Sequence, residues 1–497
     1  MHSETAPEYD TSTESADALS LEAVGIIYGN VGTTEFNCNI TGHVEQTEYV
    51  QVRHERVGWV LGQVDTINRK TDLSLEKAQE MAEGREMDIK ELVFAKISVI
   101  GYRDDRGLLQ VPRTPFKAGE RVYRASEDII RGVIGLKDDP EKGAYVGLLN
   151  GHDIRIYLDI NTIVQKHMSV LAKTGAGKSY ITGVIIEEMM KHGVTLLILD
   201  PHGEYSSMKD TGSGGDPRFG VSPRNYAERM MVFSPDTKIN PDARPLKFTL
   251  SSLDARGLLE LMDLKAGVHM KPLRKALDYL RAAKPLYTIK DIITVLEADE
   301  EHDYGVLTSA LEYLDEMDIF APQGTKISEI VQTGKTSIIN LKGTPPEIQQ
   351  LIVNRISTAL FELRKLGKIP PMLMVVEEAH NYCPQQGKVA SSQILRTIAA
   401  EGRKFGLGMA IISQRPAKID KNVLSQCNTQ FILKVTNPND IKAVVDSVEG
   451  LTGGMADLIQ HIPLGVAIVT GGGISMPLFV EVRPRETRHG GESVKVI

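Results

Sequence analysis

The residues His167-Met-Ser-Val-Leu-Ala-Lys-Thr-Gly-Ala-Gly-Lys-Ser-Tyr-Ile-Thr182 join a short apolar run to the opening of a helix through a glycine-bearing loop. Its centre, Ala172 to Ser179, fits the phosphate-loop pattern G-x-x-x-x-G-K-[ST] except that alanine holds the first position, where a small residue at a strand end suffices. Gly175 and Gly177 let the backbone curl so that successive N–H groups face inward, and the following helix adds its positive dipole end. Such a concavity suits phosphate oxygens. Lys178 is placed to reach the β- and γ-phosphates and Ser179 to ligate Mg²⁺, so Thr174, Gly175, Ala176, Gly177, Lys178, Ser179 and Tyr180 form a candidate site for ATP and Mg²⁺.

At 497 residues the chain exceeds what one hydrophobic core supports, so two or more domains are expected. No run approaches the roughly 18 to 20 apolar residues of a membrane span, and the N-terminus lacks a basic-then-apolar signal. A cytoplasmic protein with no membrane partner is expected. Cys38, Cys383 and Cys427 are too few and too scattered for a disulfide framework or a zinc site. The formal charge of −8 excludes a protein that coats nucleic acid over its whole surface, while leaving room for a basic stripe inside a channel.

Residues 1–20 carry acids among Ser, Thr and Ala, with no Lys or Arg before Arg53, and read as a disordered acidic tail. Residues 21–157 contain short β-rich runs (Ala23–Tyr28, Phe36–Ile40, Tyr49–Arg53, Val57–Val64, Val93–Ile100, Arg121–Tyr123, Ile154–Leu158) separated by glycines, with a charged helical insert at Leu73–Lys90. This predicts a small β-barrel with an assembly or docking role. From 158 to 483 the character is α/β: continuous apolar runs, among them Thr195–Leu199, Met372–Val376, Met409–Ile412 and Val466–Val469, fit a parallel sheet covered by helices. Helical spacing in Ser252–Leu264, Lys271–Ala283, Thr288–Glu297 and Gly305–Met317 predicts a four-helix insertion, about 252–330. Its basic cluster, Lys271, Arg274, Lys275, Arg281 and Lys284, fits either a phosphate backbone or a solvated helix face. Residues 484–497 read as a polar tail that frays or packs on a neighbour.

Several further residues complete an ATPase. Met372-Leu-Met-Val-Val-Glu377-Glu378-Ala-His380 is an apolar strand ending in two acids. Glu377 fits the Mg²⁺-supporting position and Glu378 the residue that polarises the attacking water. Asp200-Pro-His-Gly-Glu204-Tyr ends another strand on the ligand-binding edge; Asp200 fits the metal's water shell, as does Glu204, or Asp200 caps a loop. In Ile411-Ile-Ser413-Gln414-Arg415-Pro416, Gln414 fits a sensor of the γ-phosphate, or the stretch is a simple turn. Arg403, in Glu401-Gly-Arg403-Lys404-Phe-Gly406, offers a fixed bidentate cation suited to an arginine finger supplied across a subunit interface, and otherwise complements a helix dipole. Thr333-Gly-Lys-Thr336 is a decoy, since a strand and not a helix follows it.

The motifs Val-Leu-Ala-Lys-Thr-Gly-Ala-Gly-Lys-Ser, Leu-Asp200-Pro-His-Gly-Glu-Tyr, Val-Val-Glu-Glu-Ala-His380, Glu-Gly-Arg403-Lys-Phe-Gly and Ser-Gln414-Arg-Pro, in this order, resemble the HerA subfamily of the HerA/FtsK translocases. The resemblance implies a RecA-like P-loop ATPase core behind a HAS-barrel-like domain, assembled as a hexameric ring that moves double-stranded DNA in end resection with a NurA-like nuclease. It places the Walker lysine, acid pair, sensor and finger at Lys178, Glu377/Glu378, Gln414 and Arg403, and a second, same-subunit basic residue at Lys166. A conjugation or secretion motor of similar core and a nucleotide-regulated scaffold for a nuclease are the competing readings. On any ring reading, the phosphate loop is idle in a monomer.

Overall fold

The computed structural model describes residues 22–490, apart from 87, 263, 285, 300, 301, 449 and 452. The acidic stretch 1–20 and residues 491–497 lie outside the described residues. The chain forms two compact units, one of residues up to Lys137 together with Leu451–Leu458, the other of Asp138–Gly450 and Ile459 onward.

In the first unit, strands β1 (Ala23–Val31), β2 (Glu35–Ile40), β3 (Tyr49–His54), β4 (Gly58–Thr71), β5 (Glu91–Arg103), β6 (Leu109–Gln110) and β7 (Arg121–Arg124) pair in the order β2-β1-β7-β3-β4-β5-β6. Antiparallel pairing of β2 with β5 closes six of them into a barrel, which removes the free edges. Its interior alternates along each strand and holds Val24, Ile27, Phe36, Cys38, Val52, Val60, Ile97 and Val122. Helix α1 (Leu75–Ala82) occupies the charged insert and α2 (Glu127–Ile134) follows β7. The segment 451–458 belongs to this unit: the Gly454 N–H donates to Asp65 Oδ1 at 3.1 Å.

The second unit carries a twelve-stranded sheet. Its strands are β8 (Gly143–Leu149), β9 (Arg155–Asp159), β10 (Met168–Leu171), β11 (Thr195–Asp200), β12 (Met230–Ser234), β13 (Arg244–Pro245), β16 (Thr336–Asn340), β17 (Met372–Val376), β18 (Leu407–Ser413), β19 (Thr429–Ile432), β20 (Val466–Thr470) and β21 (Leu478–Val482). They run in the order β13-β12-β16-β11-β17-β18-β10-β19-β20-β21-β8-β9. The stretch from β13 to β19 is parallel, and β20, β21, β8 and β9 are antiparallel.

Two expectations are corrected here. Ile154–Leu158 is no barrel strand: it lies in β9, paired with β8 at the edge of this sheet. Val466–Val469 is antiparallel and pairs with both β19 and β21. An apolar run records burial on both faces, but not strand direction or which sheet it joins.

Helices cover the sheet: α3 (Ile160–Gln165), α4 (Lys178–Lys191), α9 (Pro346–Lys365), α10 (Ser392–Glu401) and α11 (Pro438–Ser447). Residues Ile181–Met190 of α4 are all buried, as befits a helix enclosed on every side. The insertion holds α5 (Ala255–Leu261), α6 (Ala266–Ala283), α7 (Ile289–Glu297) and α8 (Gly305–Glu316), beside the short pair β14 (Phe248–Thr249) and β15 (Phe320–Ala321). Leu273, Ala276, Leu277 and Leu280 form the buried stripe of α6 at the spacing of one helix face, and Thr288 with Asp291 makes a capping box on α7. No described helix is long and apolar enough to cross a membrane. Burial pushes the thiols of Cys38, Cys383 and Cys427 up to about 12, so they are protonated packing residues.

Candidate nucleotide site

Because β10, β11, β17 and β18 are parallel neighbours, their C-terminal ends share one edge, where Asp200 is the last residue of β11 and Ala172, Glu377 and Gln414 directly follow the other three. The phosphate loop turns there with Gly175 at φ +75° and Gly177 at φ +95°, a region that side chains rarely adopt. No side chain caps α4 at Gly177, which leaves that helix end to a ligand. A cavity of about 830 Å³ opens above it, lined by Thr174, Gly175, Gly177, Lys178, Ser179 and Tyr180, and on the acid side by Glu378, Gln414, His202 and Glu204. Ala176 is buried beneath the loop.

The Lys178 ammonium contacts Glu377 Oε1 and lies 3.1 Å from Glu378 Oε1. Glu377 is fully buried, and Glu378 is 4% exposed. Two adjacent carboxylates out of water need a cation, and Lys178 supplies it here. Glu378 has φ +50°, an uncommon backbone for a side-chain-bearing residue, and its Oε2 is buried with no hydrogen bond. His380 Nδ1 sits 3.3 Å from that oxygen and 2.9 Å from Ser413 Oγ. Burial holds the imidazole below its usual pKa while Glu378 opposes the shift, so the ring is neutral at pH 7. On the other flank, the Thr174 hydroxyl donates to Gln414 Oε1.

The donors fit Mg²⁺. Ser179 and the acid pair are hard oxygen ligands beside a phosphate loop, and no group of three His, Cys, Asp or Glu among the described residues forms an all-protein cage. Magnesium bound through few protein groups and the substrate's phosphates requires no more.

Asp200 is placed as a loop cap. Its Oδ1 accepts the N–H groups of His202 and Gly203 at 3.2 and 2.8 Å, and its Oδ2 accepts that of Tyr205 at 3.1 Å. Burial raises its pKa against those amides, which hold the carboxylate within the turn. Glu204 lines the cavity instead.

Lys166 lies just before the strand β10, as the resemblance places it. It precedes β10 whereas the phosphate loop follows that strand; four residues at ~3.3 Å each put about 13 Å between the two ends. It does not line the cavity. Arg403 stands in the turn Gly402–Phe405 ahead of β18, whose far end carries Gln414, so seven strand residues at ~3.3 Å put it about 23 Å from its own sensor. It is exposed, and its guanidinium has no ion-pair partner among the described residues.

The sequence reading missed three groups. An apolar wall of Leu433, Leu464, Val482 and Pro484 closes the cavity beside Gly177, together with His489. Residues 484–490, expected as a polar tail, pack on α4: Arg483, wholly buried, bonds Glu187 Oε2 at 2.9 Å and Glu188 Oε1 at 2.7 Å, and the Arg485 N–H donates to the Tyr180 hydroxyl at 3.0 Å. Two acids inside the apolar run Ile181–Met190 were the available signal. The third group is Tyr205, whose hydroxyl reaches Glu377.

Residues 144–360 match the family model described as "Helicase HerA, central domain". The chain is similar to the DNA double-strand break repair helicase HerA of Pyrococcus furiosus, 28% identical over 96% of each chain. It is also similar to the probable DNA double-strand break repair helicase HerA of Methanocaldococcus jannaschii, 26% identical over 82% of this chain and 89% of that one. VirB4 of Thermoanaerobacter pseudethanolicus shares the fold, with a TM-score of 0.50 at 14% identity over 70% of this chain and 97% of that one. A phosphate loop, a buried acid pair and a glutamine gathered at one edge of such a sheet agree with these similarities, which support a HerA-type, ATP-hydrolysing P-loop enzyme.

Proposed function

We propose that the chain is an ATP-driven motor of DNA double-strand break repair that moves duplex DNA through a homo-hexameric ring, in the cytoplasm, and feeds a NurA-like nuclease during end resection. One observation carries the reading. Lys178, Glu377, Glu378 and Gln414 meet at one sheet edge, while the exposed Arg403 stands at the opposite edge, where it cannot serve its own site. A site that lacks its finger arginine works when a neighbour donates one, which is the logic of a ring motor. The relatives named for double-strand break repair supply the substrate class.

Within the reading, Lys178 holds the β- and γ-phosphates, Ser179 and Glu377 hold Mg²⁺, Glu378 polarises the attacking water, and Gln414 reads the γ-phosphate. The bound metal would neutralise charge on the phosphates. In the insertion, Arg281 donates to the Leu253 carbonyl and Lys284 pairs with Asp291, which leaves Lys271, Arg274 and Lys275 exposed for a phosphate backbone.

The test is steady-state ATP hydrolysis by the assembled protein with and without linear duplex DNA, with Lys178→Ala as the blank. Stimulation by duplex supports the motor. Turnover indifferent to duplex overturns the translocase reading and favours a nucleotide-regulated scaffold, and stimulation by single strands alone favours a conjugation-type motor.

A further inference from the structure

Glutamate stands at 377, where an aspartate is the commoner metal-supporting acid, and it brings one more rotatable bond into a place that demands a fixed carboxylate. Something has to remove that freedom. Tyr205, 1% exposed, closes the Asp200–Tyr205 turn with its hydroxyl donating to Glu377 Oε2 at 2.6 Å. The phenol is itself pinned. Its backbone N–H is held by Asp200 Oδ2 at 3.1 Å.

With Oε2 tied to Tyr205, the carboxylate has one oxygen left, and that oxygen is the one against Lys178. A lysine drawn to phosphates would release Oε1. We propose that Tyr205 is a positioning residue that clamps Glu377 Oε2, so that Oε1 alone is presented to Mg²⁺ and its water shell. The turn motif Asp200–Tyr205 thereby acquires a role: Asp200 shapes the turn and Tyr205 delivers the clamp. This rests on the nucleotide-site reading above.

The test uses the full chain and a fluorescent ATP analogue titrated at fixed Mg²⁺ concentrations and in EDTA. Tyr205→Phe keeps the ring and removes only the donor. We expect about a tenfold rise in the Mg²⁺ concentration that half-saturates the metal-dependent part of binding, with affinity in EDTA and the thermal midpoint unchanged, as loss of one hydrogen bond to a charged group predicts. Glu377→Asp, too short to keep the phenol, should raise the requirement on its own. In that background Tyr205→Phe should add less than twofold. A full tenfold shift in both backgrounds, or none in the wild-type one, overturns the clamp. Should Tyr205→Phe fail to fold, a Glu377→Asp protein with wild-type Mg²⁺ dependence overturns it as well. Wild-type protein that binds nucleotide without any Mg²⁺ dependence would instead bring down the site reading on which the clamp rests.

Discussion

The hydroxyl of Thr174 in the phosphate loop donates to the side-chain oxygen of Gln414 at the end of β18. Loop and sensor are thus in direct contact through Oε1, which leaves the Gln414 Nε2 donors to meet a γ-phosphate oxygen. Replacing Gln414 by Ala should lower kcat by roughly ten- to a hundredfold while nucleotide binding changes less than threefold, because the interaction belongs to turnover. Parallel binding titrations and hydrolysis rates check this, and equal losses in both would reassign Gln414 to ground-state binding.

Glu378 and Glu377 share Lys178 but differ in surroundings. Glu378 Oε2 is buried without a hydrogen bond, 3.3 Å from His380 Nδ1, and Glu377 has a partner on each oxygen. Glu378→Gln should bind ATP normally and lose hydrolysis by at least a hundredfold. Glu377→Gln should lose Mg²⁺-dependent binding as well. Near-normal single-turnover rates for Glu378→Gln would refute the base assignment.

Arg403 lies about 23 Å along β18 from Gln414. Arg403→Ala and Lys178→Ala proteins, each inactive alone, should regain measurable hydrolysis when mixed, since some interfaces then pair an intact loop with an intact finger. Mixed assemblies that stay inactive would remove the finger from Arg403. Lys166→Ala should leave nucleotide binding by the isolated subunit unchanged, as the residue sits at the far end of β10.

Arg483 is wholly buried between Glu187 and Glu188, and Glu486 N–H donates to Glu187 at 3.1 Å. Arg483→Met removes the buried cation that bridges the two acids, leaving Glu188 to Lys191 and Glu187 to Arg485, and should cost about 3 kcal/mol in denaturant unfolding. A cost below about 1 kcal/mol would mean that residues 483–490 contribute packing alone.

His167 is buried ahead of β10, and its Nδ1 accepts the Met409 N–H at 3.0 Å, which requires an unprotonated nitrogen. Burial lowers its pKa, opposed by a backbone bond at Ala399, and burial likewise lowers that of His380. A histidine whose folded pKa lies below the unfolded value of about 6.5 adds stability that is fully present above that value and is lost as pH falls through the folded one. Urea midpoints should therefore be flat from pH 8 to 7 and fall below about 6.5. His167→Asn should be less stable at pH 7 and show a shallower fall.

Local chemistry was legible in the sequence. A glycine-lysine-serine loop after an apolar strand has one geometry, so Thr174 to Ser179, the acids at 377 and 378, and Gln414 were found from their order, and the helical stripe of α6 from its spacing. Barrel closure, the antiparallel run of β20, β21, β8 and β9, and the burial of residues 483–490 on α4 were decided by tertiary structure. The physical reason is that hydrophobic period reports which faces are buried, and contacts between residues hundreds of positions apart leave no trace in it. The same limit separates three site residues the sequence treated alike. Asp200 became a turn cap, Lys166 stands ahead of β10 and does not line the cavity, and Tyr205, unremarked as a sequence letter, reached across from residue 205 to hold Glu377.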